Sequence, residues 1–595
     1  MAAALCGSAA RAEVPPSTWV EAPRRALEPA NTVVPLTEVL PVDVMRNRGA
    51  RDLSEALATI PGVQVVELRD GRRLLVLDGL LARALVAVDG RPVTPGPQGE
   101  VDLSELPGTL DEVERVELIR QPMSHVYGSG ADGGVINIVT RRVDGTGVSA
   151  TVLGVAQQRG RADARASAHG SFEGARGGAY LRLASLGVVS SPWSPPSPDA
   201  PLRHGAALGV GGAFHLHRRV LVRGDADLRE AHVETGVLDR RRRAQLATEA
   251  IVALWEQDTL RVQLRSGGVG SQVGFTSVSD RWAGVEQGAS IRYLGEPIST
   301  HGVHLELTAL GEWVMDGGVG AAQRLRVSGL IADTWRVGER FSLEGALRLE
   351  SSEVLQPAAA PSLSLRYEPF EHVVVRGGVA AGYRYAGLVD DASLATLPTW
   401  ALPATGTQAE SSRSMRLSAL FAPSDVMRAA VVLFRTELTD RAPDLKTEAF
   451  GTGVAAPPGS GKITAHVQGL RTELAMARLK GGFSVRGGYV YLDQARDDRR
   501  DVPLPLAPTH SGVLVVGWQH ARWGSGAEVG GEAAVDRPRM DGTGWRPQVQ
   551  LHVSFWQQLG PFQAALVAHN TTGVRDVELG PREGRSVRAL LRAEY

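Results

Sequence analysis

Cysteine is almost absent from this 595-residue chain: Cys6 stands alone, ahead of the expected mature start. That excludes a disulfide framework and thiol chemistry in the working protein. Lysine is nearly as scarce, with only Lys446, Lys462 and Lys480, so the basic side is almost wholly arginine, a bias that GC-rich coding produces more readily than function. No run of roughly 18 uncharged apolar residues occurs, which argues against transmembrane helices and leaves a closed β-barrel as the membrane-spanning option. Neither charge is in excess: 64 Lys+Arg against 65 Asp+Glu leave a net charge of -1. No global positive field therefore points to nucleic acid. Enzyme signatures are missing too. There is no HExxH, no nucleophile elbow and no paired cysteine ligands, and the 14 histidines are scattered singly. In AAPPGSGKI, Ala456 replaces the first glycine of a phosphate loop and Ile463 the magnesium-binding Ser or Thr. The expectation is a binding protein with no catalytic centre, metal site or cofactor.

What is present begins with AAALCGSAARAEVPP, whose Ala10-Arg11-Ala12 resembles the end of a signal peptide, taken as residues 1–12. Residues 13–50 are polar and proline-bearing and read as a lead-in with at most short strands. A helix is expected from Asp52 to Ile60, with Asp52 as cap, Glu55 three residues on, and Pro61-Gly62 as the stop. Strands are expected at Val63 to Val66, Leu74 to Leu77, Leu85 to Val88, Val113 to Ile119 and Val135 to Val139. The last follows QPMSHVYGSGADGG, where Gly128, Gly130, Gly133 and Gly134 crowd together. Together these make a compact α/β domain.

Beyond residue 140 the pattern becomes two-residue alternation. In FSLEGALRLE, Phe341, Leu343, Gly345, Leu347 and Leu349 share one face, and Ser342, Glu344, Ala346, Arg348 and Glu350 the other. Val220 to Arg229 and Ser586 to Tyr595 repeat this. A soluble sandwich or propeller also alternates. Here the polar face carries dense mixed charge and the apolar face lacks bulk, as for a lipid-facing wall around a wet lumen, and no blade-length repeat occurs. Trp335, Tyr367, Tyr383, Tyr385, Trp518 and Trp523 are candidates for interfacial girdles. At roughly 20 residues per strand unit, residues 140–595 accommodate about 22 strands. Such a barrel leaves an open pore unless the N-terminal domain fills it.

VERVELIRQPMSHVYGSGADGGVINIVT (113–140) resembles the end of the plug domain in the TonB-dependent outer-membrane receptor family. DLSEALATIPGVQV (52–65) and VAVDGRPV (86–93) are similar to earlier plug motifs in the same order. STWVEAPRR (17–25) resembles a degenerate TonB box, with Thr32-Val33-Val34 as the alternative. LSLRYEPFEHVVVRGGVAAGYRY (363–385) and EGRSVRALLRAEY (583–595) resemble barrel segments, the latter the closing strand with Tyr595 last. Departures are Asp78 where many plugs have an arginine, Gln121 for a glycine, and Tyr385-Ala386 for Ala-Pro. The resemblance implies an all-β transmembrane barrel of about 22 antiparallel strands with an α/β plug in its lumen. Its divisions are 13–35 for TonB box and lead-in, 36–142 for the plug and 143–595 for the barrel.

It further implies an integral outer-membrane location, lipid around the wall, and a TonB-type inner-membrane energy coupler grasping Ser17, Thr18, Trp19, Val20, Glu21 and Ala22. Arg115, Glu117, Arg120, Arg141 and Arg142 are the candidate plug–barrel contacts. Arg72, Arg73, Arg83 and Arg91, or the loop at 94–100, are candidate ligand contacts, and the proline-rich 193–204 a candidate extracellular loop. The expected function is active import of a scarce bulky ligand, a small molecule or metal chelate, with a ferric siderophore first. A cobalamin transporter, or a non-transport surface or assembly protein acting with a protein partner, remains open.

Overall fold

The computed structural model describes residues 18–19, 37–47, 50–67, 73–81, 83–95, 101–103, 106, 110–141, 145–157, 162–189, 202–234, 238–255, 258–274, 279–316, 320–385, 409–424, 426–441, 463–497, 502–503, 507–520, 522–537, 547–574 and 585–594. In the N-terminal domain, β1 (Thr18–Trp19), β2 (Thr37–Pro41), β6 (Ala84–Val88), β7 (Arg91–Pro92), β8 (Val113–Ile119) and β9 (Gly134–Thr140) form one sheet in the order β1-β2-β8-β9-β6-β7. Only β6 and β9 run parallel within it. A second sheet holds β3 (Val63–Glu67), β4 (Arg73–Leu77) and β5 (Leu80–Leu81). Helices α1 (Val42–Asn47), α2 (Leu53–Ala58) and α3 (Ser124–Tyr127) pack on these sheets.

Helix α2 forms where the local chemistry asks for it: the Asp52 carboxylate accepts the Glu55 backbone N–H at 3.0 Å, satisfying one orphan donor of the first turn. Leu53, Ala56 and Leu57 then face the core with Leu40, Met45, Val116, Leu118 and Ile136. The reading of 13–50 as lead-in is corrected over 37–47, because Leu40 and Met45 are fully buried in that core. Short alternation broken by Pro41 hid both β2 and α1 from periodicity.

Strand β9 is buried along its whole length, and the glycines before it are a packing device. Gly134 sits at φ +138°, and a Cβ there would lie 2.5 Å from the Ile119 carbonyl oxygen and 2.9 Å from Leu77. Gly134→Ala is expected to destabilise the plug by about 2 kcal/mol or more, read as a lower urea midpoint with barrel structure retained.

From β10 (Gly147–Gln157) to the closing strand β32 (Ser586–Glu594) the chain forms a closed antiparallel barrel of 22 strands, not counting the two-residue β27 (Val502–Pro503), which pairs with β26 (Phe483–Asp497); β32 pairs with β10 through Val152↔Leu591 and its neighbours. No helix among the described residues is long and apolar enough to cross a membrane. The alternation resolves as expected: Leu181, Leu183, Leu307, Ile331, Leu349 and Leu417 are exposed on the outer wall, while Arg182, Glu306, Arg348 and Glu350 are buried inside. One mouth carries two-residue turns, as between Gly174 and Gly177 or Phe370 and Val373. The other carries long connections, such as Arg384 to Glu410, the arrangement in which short turns face the periplasm.

Two girdle candidates are corrected. Trp335, Tyr367 and Trp523 are exposed, but Tyr383 and Tyr385 are buried, clustered with Leu355 and Ala360. Pairing between β21 (Ala358–Phe370) and β22 (Val373–Arg384) ends at Ser362↔Ala380, and β22 then meets the plug. Tyr595 and residues 193–201 lie outside the described residues, as do 96–100 of the loop at 94–100.

Candidate functional site

Two features bear on function: the seam joining plug to wall, and a cavity above the plug. At the seam, a series of ion pairs joins plug to barrel, beside apolar packing of Leu80 on Phe434 and Leu492. Glu55 takes Arg588 of β32 at 2.7 Å, Asp52 takes Arg165 of β11 (Ala162–Gly174) at 3.4 Å, and Arg141 reaches Glu594 at 2.6 Å. Glu112 receives Arg229 of β14 (Val220–Glu234) at 2.7 Å, and Asp102 receives Arg241 of β15 (Leu238–Ala253) at 2.5 Å. Arg91 makes a two-pronged contact with Asp225, at 2.8 and 2.6 Å. Such fork geometry fixes register as well as charge.

Burial would raise the Asp52 carboxyl, but Arg73, Arg165 and Arg51 outweigh it and hold it well below the usual carboxylate range. Burial likewise opposes ionisation at Glu55, and Arg51 and Arg588 overcome it, so that this carboxyl is also depressed. Asp111, opposed by burial and favoured by Arg46 and Arg592, is lowered too. Folded-state values below the unfolded ones mean a contribution to stability that is complete above the ordinary carboxylate range and lost as pH falls from that range toward the lowered folded values. The plug's urea midpoint is therefore expected to be flat above about pH 5 and to drop progressively toward acid. A midpoint unchanged at about pH 3 would contradict this. Glu117 runs the other way, raised by burial in spite of Arg115 and Asn137.

A second knot lies beside β2. Arg120 donates to Glu38 at 3.0 and 3.1 Å, to Asp78 at 2.6 Å and to the Pro61 carbonyl at 2.6 Å. Burial opposes the Arg120 charge, and Asp78 and Glu38 raise its pKa in return. Arg416 of β23 (Glu410–Ser424) donates to the Arg120 carbonyl and lies 3.7 Å from Asp78, while Arg471 of β25 (Ile463–Leu479) lies 3.4 Å from Glu38. Asp78 of the plug thus holds charge contacts with the wall, to Arg416 at 3.7 Å and Arg471 at 4.0 Å.

The cavity has a volume of about 150 Å³ and lies between the plug's Thr94, Pro95, Ser129 and Gly130 and the wall. Its charged lining is Arg265, Arg324, Arg326, Arg348 and Arg384 against Glu286, Glu312 and Glu350, a majority of positive charge. Glu312, Arg324 and Glu350 sit near strand ends at the long-connection mouth: β18 (His301–Asp316), β19 (Gly320–Val337) and β20 (Phe341–Ser352). Arg326 bridges Glu312 at 2.8 Å and Glu350 at 2.6 Å, and Arg265 meets Glu286 at 2.6 Å. Tyr383 donates to Glu350 at 2.6 Å, and its backbone carbonyl accepts the Gly130 N–H at 3.1 Å, tying floor to wall. Among the described residues no group of three or more His, Cys, Asp or Glu is placed to hold a metal.

Placement of the sequence candidates is mixed. Arg141 meets a barrel carboxylate and Arg120 a barrel guanidinium. Arg115 and Glu117 bond to each other and to Glu114 and Asn137, all inside the plug. Arg73 bonds to Asp52 and Asp102 of the plug. Arg83 pairs with Asp132 and with Glu410 of the barrel, so Arg83 and Arg91, expected near a ligand, are committed to carboxylates of the seam. Thr18 and Trp19 form β1 on the edge of β2, through Thr18↔Val39 and Trp19↔Glu38. Ser17, Val20, Glu21, Ala22, Arg72 and Arg142 lie outside the described residues. The wall arginines went unassigned from sequence, although Arg229, Arg348 and Arg588 stood on the polar faces of alternating strands. That inward placement was the signal.

Comparison with known proteins adds the following. Residues 31–135 match the family model described as TonB-dependent Receptor Plug Domain, and residues 257–552 match that described as TonB dependent receptor-like, beta-barrel. Among solved structures, the siderophore receptor PirA from Acinetobacter baumannii is 14% identical with a TM-score of 0.77, covering 94% of this chain and 98% of that one. The ferric enterobactin receptor PfeA in complex with BCV-L6 is 16% identical at 0.77, covering 94% and 100%. The ferric citrate transporter FecA, unliganded, is 14% identical at 0.78, covering 94% and 97%.

Proposed function

We propose that this chain, which belongs to the TonB-dependent receptor family and is an integral outer-membrane β-barrel, actively imports a ferric siderophore or similar anionic metal chelate. The observation that carries the reading is the arginine-rich cavity under the long-connection mouth, floored by a plug that closes the lumen. At about 150 Å³ it takes one anionic arm of a bulky chelate, while the rest lies toward the mouth. Arg324 is held by Glu312 and Arg326 by Glu312 and Glu350, but the lining carries five guanidiniums to three carboxylates, and in an enclosed low-dielectric space that surplus positive charge attracts carboxylate or catecholate oxygens more strongly than it would in water. The neighbours' names, a siderophore receptor, a ferric enterobactin receptor and a ferric citrate transporter, support the same cargo class.

Coupling falls to Ser17 to Ala22. An edge strand of two residues on β2 is a segment that a coupler can take over by strand addition, exchanging one set of backbone bonds for another. The division into lead-in 13–35, plug 36–142 and barrel 143–595 belongs to this proposal. The chain binds and moves its cargo without transforming it.

The test is binding of ferric citrate and ferric enterobactin to purified receptor, with cyanocobalamin as the third arm. Arg324→Gln with Arg326→Gln is expected to weaken the chelate that binds by about 10- to 100-fold, while Arg435→Gln, exposed on the barrel wall, leaves it unchanged. Binding of cyanocobalamin alone, indifferent to the double substitution, would overturn the anionic-chelate assignment.

A further inference from the structure

The lipid-facing side of the wall changes character at its upper edge. Strands β13 (Leu202–His217), β14 and β15 put Leu208, Leu228 and Leu246 on the outside, all three exposed. Two-residue alternation carries that same face upward to His204, to Glu230 and His232, and to Arg240 and Arg242. The register gathers them: His204 stands opposite His232 and His232 opposite Arg240, with Glu230 opposite Arg242 in the row beneath. Glu230 lies ten residues beyond Val220, the short-turn end of β14, a rise of about 25 Å at roughly 3.3 Å per residue and a tilt of about 40°. That is the height of the apolar belt, so the polar group begins where lipid headgroups do, on the side of the long connections.

Its charges do not balance. Glu230 is the one carboxylate in the group, accepting from Arg240 Nε at 2.7 Å and Arg242 Nε at 3.0 Å, and lying 2.9 Å from His232 Nε2. Two guanidiniums on one carboxylate leave a charge of +1 before either imidazole takes a proton. Arg242 spends only its Nε on Glu230, and 60% of its side-chain surface is exposed, so its terminal nitrogens are left to donate elsewhere. His204 lies flat against His232, with ring centroids 4.8 Å apart and planes 3° from parallel, and makes no hydrogen bond among the described residues. On β24 (Met427–Arg441), by contrast, the exposed Arg435 is matched one to one by Glu437 at 2.6 Å.

We propose that this patch is a headgroup site for a phosphate-bearing lipid of the outer leaflet. Arg240, Arg242 and His204 take the phosphate oxygens, and the acyl chains lie down Leu208, Leu228 and Leu246. Charge complementarity selects the head. A guanidinium offers its donors two at a time to phosphate oxygens, and beside hydrocarbon an unbalanced positive charge attracts more strongly than in open water. The leucines select a lipid over free phosphate, because only an amphiphile covers both halves of the surface. The proposal rests on the outer-membrane placement of the wall and not on the import reading, so either can fail without the other.

The full chain in detergent, titrated with diphosphorylated lipid A and followed by native mass spectrometry, is the test, with the fully dephosphorylated lipid and inorganic phosphate as further arms. The phosphorylated lipid is expected to be retained in preference to the dephosphorylated one and to resist displacement by excess inorganic phosphate. Arg240→Gln with Arg242→Gln is expected to weaken its binding about 10- to 30-fold, while Glu230→Gln, which releases both guanidiniums, tightens it about fivefold. A group that merely held the strands together would give the opposite result for Glu230→Gln. Arg435→Gln leaves binding unchanged. If the double variant does not assemble, Arg242→Gln alone decides, with an expected loss of about fivefold. Equal retention of the dephosphorylated lipid, displacement by inorganic phosphate, no tightening with Glu230→Gln, or an equal loss with Arg435→Gln each overturns the proposal.

Discussion

Arg120→Ala is expected to loosen the plug by about 3–5 kcal/mol, the cost of breaking a buried ion cluster by removing one partner. This one guanidinium donates four hydrogen bonds, to two carboxylates and a carbonyl, and it is almost completely enclosed. Its removal leaves Glu38 and Asp78 repelling each other, with Arg471 at 3.4 Å from one and Arg416 at 3.7 Å from the other as compensation. The plug transition in calorimetry or urea should move to much milder conditions while the barrel transition stays in place, because the hydrogen-bonded wall does not depend on the knot. Arg115→Ala is the internal control. That side chain is a quarter exposed and bonds within the plug, so its loss belongs in the range of a surface pair, about 0–1 kcal/mol. Equal effects of the two substitutions would remove the knot from its place as the main fastening.

Much of this was legible in the chain, and the reasons are physical. A barrel wall has one face in lipid and one in a wet lumen, so two-residue alternation reports orientation directly, and Leu349 outside with Glu350 inside followed from FSLEGALRLE. Helix α2 was legible because its cap is local chemistry, a carboxylate three residues from the N–H that it accepts. Pairing was not legible. Arg83 and Arg91 differ in no sequence feature from a ligand-binding arginine. Their partners, Glu410 and Asp225, stand far along the chain and are brought near by barrel closure. Tyr383 and Tyr385 misled for a related reason: an aromatic at a strand end suits a membrane interface, and only the departure of β22 from β21 turns these two to the plug. The contacts that Asp78 makes with Arg416 and Arg471 of the wall are likewise visible only in three dimensions.

Energised uptake with the N-terminal segment removed tests the central claim most directly. Cells expressing the receptor with residues 17–22 deleted, beside cells expressing the parent chain, would be given the iron-55 form of whichever chelate the purified protein binds. Binding at the cell surface and accumulation inside would be measured separately. Surface binding is expected to be unchanged, because the cavity lies at the opposite mouth from the short turns and its lining among the described residues comes from the rest of the plug and the wall. Accumulation should fall to the level of parent cells whose proton gradient has been collapsed. Undiminished accumulation by the deletion variant would contradict the account.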